Sequence, residues 1–399
     1  MKYFVPILLF LFFLTACTWQ KETQSRVTKI EIDPKQSNQA DILQIIKSVE
    51  LIPLETNDNS IFGNIKRVRA DGNHLYILDY NDNPVKIFTK NGKFVAEIGH
   101  RGRGPGEYIQ IDDFLISEDV IHIYAWSGNR KWIRYSFDNR FLYETDMFFP
   151  LDEICQISDN RYLIYVGNGT VSNECDYYLY CIDKDFEIQS RLQPKRSPED
   201  INFPIQQNHF SKSSDCILYI REFCDTLFTI SHDLTIQPKY RLDFGKNWYS
   251  NSFLKEYHGR SFFEIYNAVD KNEYAKHINV LETSTQLIIS YIIQHDIPLG
   301  KRGRAYLAIY SNETENIYNY ADSHDNIFAK LFLRPYLVDT DGDQIIGLID
   351  AEEILDIASK INIDNPIAEK VKKCAEQIDK SSNPILIRYT LADGESRIK

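Results

Sequence analysis

The chain has 399 residues and a mass of 46.7 kDa, with 43% hydrophobic and 26% charged residues. That balance excludes a disordered chain, a collagen and a polytopic membrane protein. The net charge of −12, with no basic run, argues against a nucleic-acid partner, because neutralising phosphates needs clustered Lys and Arg. With 25 Tyr and 23 Phe against 2 Met, the composition favours pleated, half-buried surfaces.

The N-terminus comes first. Residues 3–16 read YFVPILLFLFFLTA after Lys2, an apolar run short for a membrane span and shaped like a secretory h-region. Leu14-Thr15-Ala16-Cys17 resembles a bacterial lipobox. That resemblance implies a signal peptide over 1–16 and acylation of Cys17. Several acyl chains anchor a protein far better than one. Thr18, where an Asp would signal inner-membrane retention, implies the outer membrane, on its periplasmic or surface-exposed face. Gln20-Lys21-Glu22 is loosely similar to surface-export signals. The polar stretch that follows, with Pro34, reads as a lipidated tether over 17–44.

Six further cysteines, Cys155, Cys175, Cys181, Cys216, Cys224 and Cys374, form no CxxC or zinc-finger spacing. They read mostly as buried apolar thiols, with one disulfide left open by the oxidising compartment.

Next comes a repeat. IFTKNGKFVA, RYSFDNRFLY, LYCIDKDFEI and LFTISHDLTI each place an aromatic six residues before Phe or Leu. The pairs are Phe88 with Phe94, Tyr135 with Phe141, Tyr180 with Phe186, and Phe228 with Leu234. Polar turn residues between them predict a hairpin repeated four times. A less regular fifth copy lies near Tyr310 and Ile317. A second turn precedes each apolar strand, at Asp71-Gly72, Glu118-Asp119, Asp159-Asn160, Ser214-Asp215, Ser284-Thr285 and Asp341-Gly342. The intervals run from 41 to 70 residues. Six such units predict an all-β chain over 45–399, a six-bladed β-propeller with four-stranded blades.

The sixth unit lacks a strand. SVELIPLE at 48–55 is the candidate, predicted to pair with 385–391 and so close the ring without an open edge. Two insertions, near 245–276 and 351–380, carry helical periodicity. The first breaks near Gly259. The second starts at Asp350 as N-cap, with Ile354, Leu355, Ala358 and Ile361 on one face.

SVELIPLET, DGNHLYILDY, VKIFTKNGKFVAEIG and RGRGPGEY, behind a lipobox, resemble the six-bladed β-propeller lipoproteins of Bacteroidetes, relatives of the NHL-repeat propellers. The resemblance implies a ring around a central channel. It implies no settled activity, since function does not follow from fold.

The glycine-rich GHRGRGPGEY lacks the Gly-Lys-Ser/Thr of a phosphate loop, and Pro105 breaks any helix. It reads as a crossover between blades, with Arg101, Arg103 and Tyr108 as candidates for binding at a rim. Asp339-Thr340-Asp341-Gly342-Asp343 lacks the Gly and Glu positions of an EF-hand and reads as a turn. Asp112, Asp113, His209 and His277 open the inner strands of three units. They are candidates to converge at one channel end, as metal and acid–base groups do in lactonase-like propellers. No complete catalytic constellation is present in the sequence.

The leading expectation is therefore a lipid-anchored envelope binding or scaffold module. It takes an envelope protein, a glycan or a peptide, using Tyr and Trp surfaces with Trp126, Trp132 and Trp248 near loops. The alternative is a metal-assisted hydrolase or lyase at the channel mouth. No cofactor is predicted, with a channel-bound divalent metal left open.

Overall fold

The computed structural model describes residues 27–37, 42–81, 84–117, 119–167, 176–195, 201, 208–212, 216–294, 303–322, 327–362 and 365–392. The signal peptide, Cys17, Cys175, Glu118, Ser214 and Asp215 lie outside them.

Six antiparallel sheets surround one axis as the blades of a propeller. Their inner strands are Ile65–Ala70, Asp113–Ser117, Glu153–Ser158, Phe210–Lys212, Lys276–Glu282 and Tyr336–Asp341. The second strands are mostly apolar and buried along their length, as in His74–Asp79 and Val120–Ala125, because neighbouring blades cover both faces. The turns joining first to second strands require the left-handed region. Gly72, Asp119, Asn160 and Gly342 all have positive φ there.

Ring closure follows the sequence expectation. Ile46–Pro53 pairs antiparallel with Ile385–Leu391, with Val49 opposite Tyr389 and Leu51 opposite Ile387. The first and last parts of the propeller thus share blade 6.

The repeated hairpin needs a correction in two blades. Phe88 faces Phe94 and Tyr135 faces Phe141, as the pattern predicts. In blades 3 and 4 the facing pairs are instead Ile182 with Ile188 and Ile230 with Ile236. Phe186 and Leu234 sit in the turns themselves, with φ of 67° and 69°. A shift of two residues keeps every side chain on the same face, so alternation alone does not reveal it.

The tether expectation is corrected as well. Thr28–Glu31 forms a fifth, parallel strand on the outer strand of blade 4, Ile236–Asp243. Ile30 and Ile32 are buried, each contributing about 1.5–3 kcal/mol. Lys29 pairs with Asp243 at 2.7 Å. The chain then passes blade 5, where Asn319 Nδ2 donates to the Asp33 carbonyl, and reaches blade 6. Only two apolar residues alternating with Lys29 and Glu31 mark this strand, which made it read as linker.

Helices α1 (Asn251–Tyr257) and α2 (Phe262–Lys271) form the first insertion, separated near Gly259. Ser261 and Glu264 close a capping box on α2. A short α3 (Ala329–Leu333), which no periodicity signals, precedes blade 6. The second insertion is α4 (Ala351–Lys360), with Asp350 at its N-cap, and α5 (Pro366–Ala375). Ile354 and Ile357 anchor α4 in the blade 5–6 core, while Leu355 is only half-buried. The described cysteines, Cys155, Cys181, Cys216, Cys224 and Cys374, form no disulfide with one another.

Candidate functional site

The inner strands begin at one end of the channel and finish at the other. Between these ends lies a belt of cross-blade bonds. Arg67 of blade 1 pairs with Asp113 of blade 2 at 3.2 Å and with Glu153 of blade 3 at 3.3 Å. It also donates to Asn208 Oδ1 at 2.5 Å. Arg69 donates to Asp113 Oδ2 at 2.9 Å and to the carbonyls of Phe114 and Ile154. The belt continues through Glu153, which accepts from the His209 amide at 2.7 Å. Asn208 then donates to Asn279, and Asn279 to the Leu337 carbonyl of blade 6. Burial opposes the Arg67 charge, but Glu153 and Asp113 outweigh it and hold the guanidinium well above its ordinary pKa. Burial also pushes the Glu153 carboxyl up, against the pull of Arg67 and Arg69. With a cation in direct contact and an amide donating to it, Glu153 is best described as the ionised partner of Arg67.

On the strand-end side of the belt, a cavity of about 150 Å³ is bounded by Arg69, Cys155, Ser211, Lys212 and Asp339. On the strand-start side lies a wider mouth of about 650 Å³. It gathers residues from the beginnings of inner strands (Lys66, His277, Tyr336), Tyr80 just past the second strand of blade 1, and Ser290 and Ile292 from the second half of that in blade 5. The end of α3 adds Arg334, and the start of α4 adds Asp350 and Glu353. Helices α3 and α4 thus wall this end.

The sequence candidates are distributed as follows. Tyr108 is fully buried in the core between blades 1 and 2, which removes it from any rim. Arg101 and Arg103 are exposed on the crossover loop. That loop is fixed internally: Glu107 accepts from the Gly104 amide, Glu144 accepts from the Gly106 amide, and the Tyr135 hydroxyl donates to the Gly106 carbonyl.

Asp112 accepts from the Ser127 amide and hydroxyl, both at 2.9 Å, closing a local turn. Asp113 belongs to the belt. The His209 ring stacks on Tyr165 at 3.8 Å and faces Glu222 at 3.5 Å, with Nδ1 against the Ile220 carbonyl. Burial pushes its pKa down to about 3, so the ring is neutral. Only His277 lines the mouth. The four thus play four separate parts, and among the described residues no group of three His, Cys, Asp or Glu could hold a metal ion.

Trp132, expected near a loop, is fully buried, with the Arg134 guanidinium 3.5 Å from its ring centroid. The belt residues Arg67, Arg69, Glu153, Asn208 and Asn279 escaped the sequence reading. Their signal is faint: polar residues alternating with apolar ones inside IKRVRA.

A six-bladed propeller with a belted channel and one helix-walled mouth defines the class. The chain belongs to the family described as a domain of unknown function, DUF4934, whose profile matches residues 27–390. A protein from Bacteroides fragilis NCTC 9343 described as exported shares 21% identity and a TM-score of 0.74, over 91% of this chain and 99% of its own. A member of the DUF4221 family from Bacteroides vulgatus ATCC 8482 shares 10% identity and a TM-score of 0.52, over 87% of this chain and 97% of its own. At these identities the likeness shows the fold alone. No curated protein matches the sequence. No helix among the described residues is long and apolar enough to cross a membrane.

Proposed function

We propose that this chain is a binding protein of the bacterial cell envelope that takes its ligand in the helix-walled mouth. Acyl chains on Cys17 hold it to the outer membrane. The observation that carries the reading is the mouth itself. Its volume of about 650 Å³ lies within the range of small-ligand sites, about 300–1,000 Å³. Aromatic and polar groups from blades 1, 5 and 6 meet there, whereas the belt below uses its charges on one another. The ligand is a glycan, a peptide or a segment of an envelope protein. The exported relative supports the envelope, and the lipobox sequence supports the anchor.

The test has two arms. Replacing Cys17 by Ser should abolish palmitate incorporation and release the protein from the membrane pellet. Retention of label would remove the anchor from the reading. In the second arm, ligand panels are screened against the acylated protein in detergent by thermal shift. A ligand whose stabilisation disappears in Tyr80→Ala supports the mouth, and one indifferent to mouth substitutions refutes it.

A further inference from the structure

We infer that the mouth is built for a neutral, hydroxyl-rich ligand, namely a short oligosaccharide. The inference rests on reading the mouth as the ligand site. Its first support is backbone geometry. The register of the blade 5 inner strand shifts between Lys276 and Asn279, and His277 in the bulge has φ of 52°. A non-glycine residue held there carries strain, and bulges re-aim side chains. Here the bulge puts an imidazole on the mouth wall. Surrounding protein and the Lys276 ammonium lower its pKa, against the pull of the Asp270 carboxylate. At neutral pH His277 is therefore an uncharged donor and acceptor, suited to a hydroxyl.

The second support is the state of the charges. Lys66 donates to the Ile111 carbonyl at 2.6 Å, and Arg334 is ion-paired with Asp322. A carboxylate or phosphate ligand would have to break those contacts and also face Asp350 and Glu353. A cationic ligand would meet the same Lys66 and Arg334. Walls of mixed sign disfavour net charge of either kind, while carboxylates and imidazole both accept from hydroxyls.

The third support is a platform. Tyr80 is 63% exposed and lines the mouth, with its amide held by the Asn64 carbonyl at 2.9 Å. An exposed aromatic face with a polar tip matches the C–H face and hydroxyl edge of a sugar ring.

The experiment is calorimetry on the acylated protein in detergent. The probes are neutral gluco-, manno-, xylo- and galacto-oligosaccharides, matched uronic-acid oligomers, and oligolysine. Wild type is compared with Tyr80→Ala, His277→Asn and, as a control on the outer strand of blade 2, Tyr143→Ala. Asn tolerates positive φ, so His277→Asn keeps the bulge; Ser290→Ala is a second wall variant should it not fold.

The expected result is binding of at least one neutral oligosaccharide, weakened tenfold or more by Tyr80→Ala and His277→Asn and unchanged by Tyr143→Ala. Binding only of uronates or oligolysine, still sensitive to the mouth variants, overturns the ligand class and leaves the mouth standing. Neutral-sugar binding indifferent to both variants overturns the site. No binding by any neutral probe overturns the oligosaccharide.

Discussion

The belt and the mouth are built from the same strands, a residue or two apart. Lys66 and His277 face the mouth, while Arg67 and Asn279 belong to the belt. In the belt, guanidinium and carboxylate groups satisfy one another across blade boundaries. In the mouth, ring faces and a neutral imidazole border open space. The difference teaches that depth along the channel, more than residue type, separates stabilising groups from ligand-facing ones. Stability measurements should therefore divide the two regions cleanly.

The largest effect should come from the belt. Asp113 is fully buried and holds Arg67, Arg69 and the Ile154 amide together. Asp113→Ala leaves two part-buried cations short of a partner and should cost about 3–5 kcal/mol in urea unfolding. A loss below about 1 kcal/mol would mean that water replaces the carboxylate and that the belt is not sealed.

Acid should act next. His209 adjoins the belt through its amide, and His122 lies buried in blade 2, accepting from Trp132 Nε1 at 3.1 Å. Burial lowers both to about 3, helped in His122 by Arg134. The unfolded histidine binds a proton near pH 6.5 while the folded one does not. Stability is therefore complete above that pH and is lost as pH falls from 6.5 toward 3. Each ring should cost about 2 kcal/mol by pH 5. His209→Asn should flatten the slope between pH 7 and 5, measured by urea midpoints. An unchanged slope would place the acid sensitivity elsewhere.

Asn279 tests the neutral part of the belt. It accepts from Asn208 and donates to the Leu337 carbonyl, linking blades 4, 5 and 6. Asn279→Ala should cost about 1–3 kcal/mol, the penalty for stranding buried polar partners. A cost equal to that of Asp113→Ala would show that charge is not what distinguishes the blade 1–3 side of the ring.

These regions differed in how legible they were. The ring was readable because each blade repeats turn chemistry that only a few residues supply. Gly72, Asp119, Asn160 and Gly342 announce left-handed turns. The hairpin phase in blades 3 and 4 was not readable, since a two-residue slip preserves alternation. The strand Thr28–Glu31 was hidden because two isoleucines among charges look like a linker. Belt and mouth stayed hidden for another reason: each is assembled from residues on several blades, and no local spacing encodes which side chain faces which across a ring. Asp113 and His277 were rightly placed at strand starts. The arginines that claim Asp113 lie some 45 residues earlier in the chain.

The smallest expected effect is also the most discriminating. Tyr80 presents most of its ring to solvent and makes no ring contact among the described residues that would fix the core. Its fold contribution is its backbone bond to Asn64, which Ala retains. Tyr80→Ala should therefore shift unfolding by no more than about 0.5 kcal/mol, as substitutions of exposed residues generally do. A cost of 2 kcal/mol or more would make Tyr80 a packing residue, and the mouth would lose its platform. A neutral effect on stability, combined with loss of ligand-induced stabilisation, would assign the ring to recognition. The contrast with Asp113, one channel level deeper and several kcal/mol costlier, is then a measured property of the propeller rather than a description of its geometry.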